Sequence, residues 1–250
     1  TKNRHTKALT VGTKKYTLSM PHDRLVLGDM LDTSALFGRE RVQLMYCDPP
    51  FFTGRRQSRP SRRPKQGSGI SNETEPDATS FEDRWPSMDV YLEWLKPRIV
   101  AMRDCLNKQG VFALHLDWHA SHYAKVLCDS IFGYDLFINE IVWAFRTGGV
   151  GKRWLARKHD TILVYGRSKD WAYYPQTEKR YLSHRYGFSN ITLHEDEGGV
   201  FRYGQMRDVW EIAALRGNQP ETTGYPTQKP VALLERLVSC FSAKGDRVAD

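Results

Sequence analysis

Two short stretches of the chain hold side chains that could act on a small polar group. In the first, Asp48 is followed by Pro49, Pro50 and Phe51. An ionised carboxylate is an acceptor only, paired prolines fix the carbonyls beside it, and an aromatic face offers a stacking surface. Together they suit a planar ring bearing an NH2 group, with the amine donating to Asp48 and to a backbone oxygen while Phe51 stacks on the ring. In the second stretch, Thr227, Gln228, Lys229 and Pro230 precede a run whose apolar positions Leu233, Leu234, Leu237, Val238 and Phe241 predict a helix. Pro230 suits the first turn of that helix, where a missing N–H costs nothing. Lys229 does not suit it. A cation at the positive end of a helix dipole is unfavourable by several tenths of a kcal/mol, so Lys229 is expected to face an anion.

Other elements must bring these stretches together. Val42 to Cys47 is an apolar run that reads as a buried strand, and the prolines stop it with Asp48 at its carboxyl end, where open α/β sheets bind ligands. Upstream, Arg24 to Asp29 reads as a strand and a glycine turn, and Leu31 to Phe37 as a short helix. From Met88 the positions Tyr91, Leu92, Leu95, Ile99, Met102 and Leu106 keep helical phase through Pro97, predicting one helix that stops at Gly110. Val111 to Leu116 is the next strand. A second helix from His119 would bury Ala120, Tyr123, Ala124, Leu127 and Ile131 and end at Gly133. Ile138 to Phe145 and Thr161 to Tyr165 read as further strands. This alternation predicts an α/β fold with a mostly parallel sheet. Asp117 and Trp118 would share the edge that carries Asp48. His115, His119 and His122 invite a zinc reading, but His115 lies in a strand and no metal is expected.

The chain has 250 residues, 40% of them hydrophobic, with a net charge of +8 and a pI near 9.3. That length builds one large core with at most a small appendage, and the charge suits a polyanionic partner. Arg55, Arg56, Arg59, Arg62, Arg63 and Lys65 crowd into the segment 53–80 with no acid among them, either a loop that closes over a nucleic-acid backbone or a solvated tail. Arg146 to Arg153, which includes Lys152, is glycine-rich and basic. It lacks the Gly-Lys-Ser/Thr of a P-loop and reads as a loop near substrate phosphates. Between Trp171 and Thr223 aromatic and basic residues interleave in short β-rich pieces, among them Lys179, Arg180, Tyr181, His184, Arg185, Tyr186 and Phe188. The four cysteines are dispersed among apolar neighbours and read as reduced thiols. No apolar run approaches the ~20 residues that span a bilayer, which points to a cytoplasmic protein without a membrane partner. The chain begins with Thr1 and stops at Asp250 in what reads as mid-strand, so sequence is expected beyond one or both ends.

Asp48 to Phe51 and the later Thr223 to Pro230 resemble, in that order, two elements of the DNA amino-methyltransferases. The chain is identified as a member of their permuted beta class, adenine-N6 type, as in restriction-modification systems. The resemblance implies a Rossmann-like class I methyltransferase sheet with a small target-recognition insert. Residues 1–166 would form an N-terminal arm and the catalytic half, 167–223 the recognition region, and 224–250 the start of a cofactor half truncated at the C-terminus. It implies S-adenosylmethionine as cofactor, contacted by Thr227, Gln228, Lys229, Pro230 and Asp250, and by Asp29 unless that residue only caps a helix. Catalysis would fall to Asp48, Pro49, Pro50 and Phe51, and DNA contacts to the six basic residues of 53–80 with Lys152 and Arg153. The implied reaction is site-specific methyl transfer to N6 of a flipped adenine in double-stranded DNA, with no role for Cys47. N4 of cytosine, or a catalytically silent DNA-binding subunit of the same fold, are the alternatives. Dimers are common in the class, although no exposed apolar stripe here establishes a homodimer, and the likeness to restriction-modification systems raises a restriction endonuclease as a partner. In the family the segment ending at Asp250 continues into a Pro-Phe-x-Gly-Ser-Gly loop, which this chain does not reach.

Overall fold

The computed structural model describes residues 17–19, 24–26, 28–37, 41–57, 81–146, 150–183, 191–215, 219–225 and 227–250. Thr1 to Tyr16, Arg59, Arg62, Arg63, Lys65, Thr147 to Gly149, His184, Arg185, Tyr186, Phe188 and Pro226 lie outside them. In chain order the strands are β1 (Thr17–Ser19), β2 (Arg24–Val26), β3 (Val42–Cys47), β4 (Arg55–Gln57), β5 (Phe81–Asp83), β6 (Leu106–Leu116), β7 (Phe137–Ala144), β8 (His159–Gly166), β9 (Thr177–Tyr181), β10 (His194–Asp196), β11 (Gly199–Gln205), β12 (Val209–Glu211) and β13 (Val248–Ala249). The helices are α1 (Met30–Phe37), α2 (Met88–Cys105), α3 (Ser121–Phe132) and α4 (Val231–Phe241).

The main sheet has six strands in the order β12-β7-β8-β6-β3-β13. It is a mixed α/β sheet of Rossmann-like type, with helices on both faces. Every residue of β3 is buried; from Leu44 on its side chains alternate between the two faces, and the register shift between Val42 and Leu44 puts Val42 out of that alternation. Val42, Met45 and Cys47 join the core under α2 and α3, while Leu44 and Tyr46 join the core under α4. This two-sided burial is why the strand reads as an unbroken apolar run.

Pairings are parallel for β12 with β7, β6 with β3 and β3 with β13, whereas β8 runs against both β6 and β7. The sheet is therefore less parallel than the strand-helix alternation predicts. The connection from β7 to β8 contains no helix among its described residues, and a direct connection returns a strand antiparallel. A separate three-stranded sheet, β10-β11-β9, fills part of the stretch after Trp171, while β12, from the same stretch, returns to the main sheet beside β7.

Three sequence expectations shift. Helix α2 ends at Cys105, and Leu106 is already extended. Gly110 is a site of close approach rather than a helix stop: a Cβ there would lie 2.8 Å from the Leu106 Cβ and 3.0 Å from the Val42 carbonyl, where the β3–β6 register shifts. Helix α3 buries Ser121, Ala124, Cys128 and Phe132, and leaves Tyr123 55% exposed. Ala120 and Ala124 are buried as expected and Leu127 and Ile131 are half-buried against the same core, so the buried stripe is rotated toward Cys128 and Phe132 and away from Tyr123. In α4 the buried face is Leu233, Leu237, Cys240 and Phe241, with Val238 exposed and Pro230 standing just before the first turn. No helix among the described residues is long and apolar enough to cross a membrane.

Candidate active site

The carboxyl ends of β3 and β6 lie at one edge of the sheet, and the β7–β8 connection emerges there too, since Cys47 pairs with Leu114, Leu116 with Thr161 and Ala144 with His159. Asp48 leaves β3 at this edge. Lys229, delivered by the segment before α4, donates to Asp48 Oδ2 at 2.5 Å and to the Thr227 carbonyl at 3.0 Å. Its ammonium lies 5.2 Å from the centre of the Phe51 ring. The anion that the helix-dipole argument requires for Lys229 is thus Asp48 itself. Both side chains are largely buried, at 10% exposure for Lys229 and 21% for Asp48.

The other oxygen, Asp48 Oδ1, is buried and has no hydrogen-bond partner among the described residues. An acceptor in that position costs about 1–3 kcal/mol until a donor reaches it. A small N–H donor entering beside Phe51 would supply one.

The turn that follows is pinned on both sides. The Tyr91 hydroxyl donates to the Pro50 carbonyl at 2.7 Å. The amides of Phe51, Phe52 and Thr53 all donate to the Asp83 carboxylate, and Phe52 takes a φ of +65°, a left-handed conformation that costs a non-glycine residue about 1–2 kcal/mol. Behind Phe51 the buried His115 ring, 5.6 Å away, bonds Tyr46 Oη through Nδ1 at 2.6 Å and Asp160 Oδ2 through Nε2 at 3.3 Å. His115 is thereby a support for Phe51. His119 is bonded to Asp117 at 2.8 Å and stacks on Trp118, over which Arg157 lies at 3.5 Å. Among the described residues no group of three or more His, Cys, Asp or Glu side chains could hold a metal ion.

The remaining candidates are placed as follows. Asp29 caps α1 through the Leu31 amide at 3.0 Å and pairs with Arg98. Partial burial tends to raise its carboxyl, but the bonds from Arg98 and Leu31 outweigh that and hold it below the usual range. Gln228 accepts from the Thr223 amide and hydroxyl and donates to the Glu221 carbonyl, so its amide ties down its own loop. Asp250 follows β13, whose Ala249 pairs in parallel with Met45 of β3; desolvation, then the charge of Asp48, push its carboxyl upward while Lys229 pulls the other way. Arg55 and Arg56 are exposed on β4, Arg56 within 3.5 Å of Glu82, and Lys152 and Arg153 are exposed in the β7–β8 connection. Cys47 is buried, and burial first, with Asp48 second, pushes its thiol well above the usual range.

Sequence reading missed Asp83, Tyr91 as a hydrogen-bond donor, and the Tyr46–His115–Asp160 chain. None carries a local signal, because each works through a partner remote in sequence.

Residues 42–250 match the family model described as DNA methylase, of N6 and N4 type. The chain belongs to the N6/N4 DNA methylase family. Among curated DNA methylases it is 31% identical over 128 residues to the type II methyltransferase M.KpnI of Klebsiella pneumoniae, covering 51% of this chain and 27% of that protein. It is 22% identical over 231 residues to the DNA adenine methyltransferase YhdJ of Escherichia coli, covering 90% and 69%. Against the first relatives it matches, M.KpnI and the EcoP15I Mod subunit, the chain spans 27% and 21% of their length. The solved PvuII DNA methyltransferase, cytosine-N4-specific, superposes with a TM-score of 0.52 at 13% identity, covering 89% of this chain and 71% of that one, a likeness of fold.

Proposed function

We propose that this DNA methylase moves a methyl group from S-adenosylmethionine to N6 of an adenine flipped out of double-stranded DNA, as a permuted beta-class member of a restriction-modification system. The observation that carries the reading is the donorless Oδ1 of Asp48 beside Lys229 and Phe51. The exocyclic amine of a base is a poor nucleophile, because its lone pair is delocalised into the ring. Accepted hydrogen bonds from the amine to Asp48 Oδ1 and the Pro49 carbonyl favour a pyramidal nitrogen, and Phe51 holds the ring plane. Extruding the base is required because the target nitrogen is engaged in pairing, and costs a few kcal/mol. S-adenosylmethionine supplies an electrophilic methyl group. The Lys229 ammonium is a cation fit for the cofactor's carboxylate, with Thr227, Gln228, Pro230, Asp250 and Asp29 assigned around it. Asp29 and Gln228 make the contacts described above and would have to share or release them. Asp48 is also the nearest acceptor for the proton that leaves the methylated nitrogen.

The choice of adenine rests on Asp rather than Ser at the head of the motif, and the YhdJ likeness agrees with it. Nucleoside mass spectrometry of DNA incubated with the full-length protein tests it. N6-methyladenine is expected, N4-methylcytosine would reassign the base, and no methylated nucleoside at all would leave a silent DNA-binding subunit. The thiol of Cys47 stays protonated and takes no part, so Cys47→Ala should leave the rate within about twofold of wild type; loss of activity in a folded variant would overturn that.

Duplex DNA would be held by Arg55, Arg56, Arg59, Arg62, Arg63, Lys65, Lys152 and Arg153, and read by residues 167–223. Replacing both Lys152 and Arg153 with alanine should weaken binding similarly on all sequences and lower the salt slope of log K by about 2, measured by fluorescence anisotropy across salt concentrations. A second copy of the chain and a restriction endonuclease are the further partners assigned, tested by sedimentation and by co-purification.

A further inference from the structure

Three consecutive amides after Pro50 converge on one side chain. Phe51, Phe52 and Thr53 donate to Asp83 at 3.3, 2.8 and 3.0 Å, and the Thr53 hydroxyl donates at 2.6 Å. Asp83 is 1% exposed and has no cation against it among the described residues. A carboxylate so buried is tolerated only when its lone pairs are filled, and here four donors fill them. They can do so only because the chain curls round the carboxylate, which puts Phe52 in the left-handed region at φ +65°. Gly54, at φ +70°, completes the curl by donating its amide to the Asp83 carbonyl at 2.9 Å.

The curl is the continuation of the Asp48 turn. Pro49 and Pro50 transmit its orientation stiffly, and the Tyr91 hydroxyl on the Pro50 carbonyl fixes the other side. Asp83 also ends β5, whose partner β4 opens the basic segment, with Arg55 opposite Asp83 and Gln57 opposite Phe81. One buried side chain therefore fastens both the turn that carries Asp48 and Phe51 and the root of the basic insert.

We propose that Asp83 is a positioning residue for methyl transfer: it holds the 51–53 turn so that Asp48 Oδ1 and the Phe51 ring face the target base. The inference rests on the function proposed above. An asparagine in its place keeps the volume but offers one acceptor oxygen and turns an NH2 toward amide hydrogens, so the three amides cannot all be satisfied. Phe52 then has no reason to stay left-handed, and the turn relaxes.

The test uses the full-length protein, unmodified genomic DNA and radiolabelled S-adenosylmethionine. Asp83→Asn should lower kcat about 100-fold, the scale of a misplacement near 1 Å, while KM for DNA and Kd for the cofactor stay within about threefold. Thr53→Val, which removes one donor and leaves the buried carboxylate, should lower kcat about tenfold with the same unchanged constants. An Asp83→Asn protein with wild-type kcat overturns the proposal, as does a folded one that loses kcat, DNA affinity and cofactor affinity in equal measure. If circular dichroism shows Asp83→Asn unfolded, Thr53→Val decides: a selective fall in kcat supports the proposal and an unchanged kcat overturns it. A wild-type protein that methylates no DNA would remove the proposed function and this inference with it.

Discussion

Asp48→Asn is expected to slow methyl transfer about 10²- to 10³-fold, the scale of losing one preorganised polar group at a reacting centre, with DNA affinity little changed. The asparagine fits the same space, so the effect is electronic. In the native site Lys229 occupies Oδ2 and leaves Oδ1 as an acceptor without a donor. An amide set against Lys229 must point its own oxygen at the ammonium, which turns its NH2 toward the incoming amine, a donor facing a donor. The interaction lost is made most strongly as the nitrogen becomes pyramidal, so kcat and kcat/KM should fall together. Single-turnover transfer, with anisotropy for DNA binding, separates this from a loss of grip. A rate near that of wild type would remove Asp48 from the chemistry.

Lys229→Met should have the second large effect, on two independent readouts. Asp48 would stand largely buried without its cation. Removing one partner of a fully buried pair costs about 3–5 kcal/mol, and the 21% exposure of Asp48 reduces that to about 2–3 kcal/mol. For a chain of this length that is a fall in Tm of roughly 5–10 °C. Adding Asp48→Asn to Lys229→Met should restore much of it, since the unpaired charge is then gone, and a calorimetric double-mutant cycle measures the coupling. Titration calorimetry should also show S-adenosylmethionine bound at least about tenfold more weakly, as expected when a partly desolvated charge-assisted bond is lost. An unaltered cofactor Kd would place the cofactor's carboxylate elsewhere.

What the sequence shows of this site follows from how local each signal is. The Val42–Cys47 strand and its abrupt proline stop are legible because two-sided burial writes itself as an apolar run and proline is an unambiguous breaker. Lys229 is legible as a misfit, a cation where a helix disfavours one, and the structure completes that thought with Asp48. Asp83 is not legible, since nothing in Phe81-Glu82-Asp83 distinguishes a carboxylate that receives four donors from one that faces water. Helix phase is half legible: the apolar residues of α3 leave the rotation of the stripe open, and only the sheet beneath decides that Cys128 goes in and Tyr123 goes out. The reversed β8 is hidden for another reason. Strand direction is a property of the connection, and the basic glycine-bearing segment before β8 looks like a loop of either kind. Arg59, Arg62, Arg63 and Lys65 remain, in structural terms, outside the described residues.

The pair that closes the site joins residues 181 positions apart, and the Gln43 side chain, on β3, donates across 198 positions to the Phe241 carbonyl at the end of α4. Loop-closure entropy must be met before such distant contacts return any stabilisation, which makes assembly of this edge a late event in folding. While the chain is being synthesised, Asp48 and its turn leave the ribosome long before Lys229 does. A nascent chain can therefore shape the Asp48 turn well before it holds the Asp48–Lys229 pair. The edge is completed only when the segment that carries Lys229 and α4 has emerged.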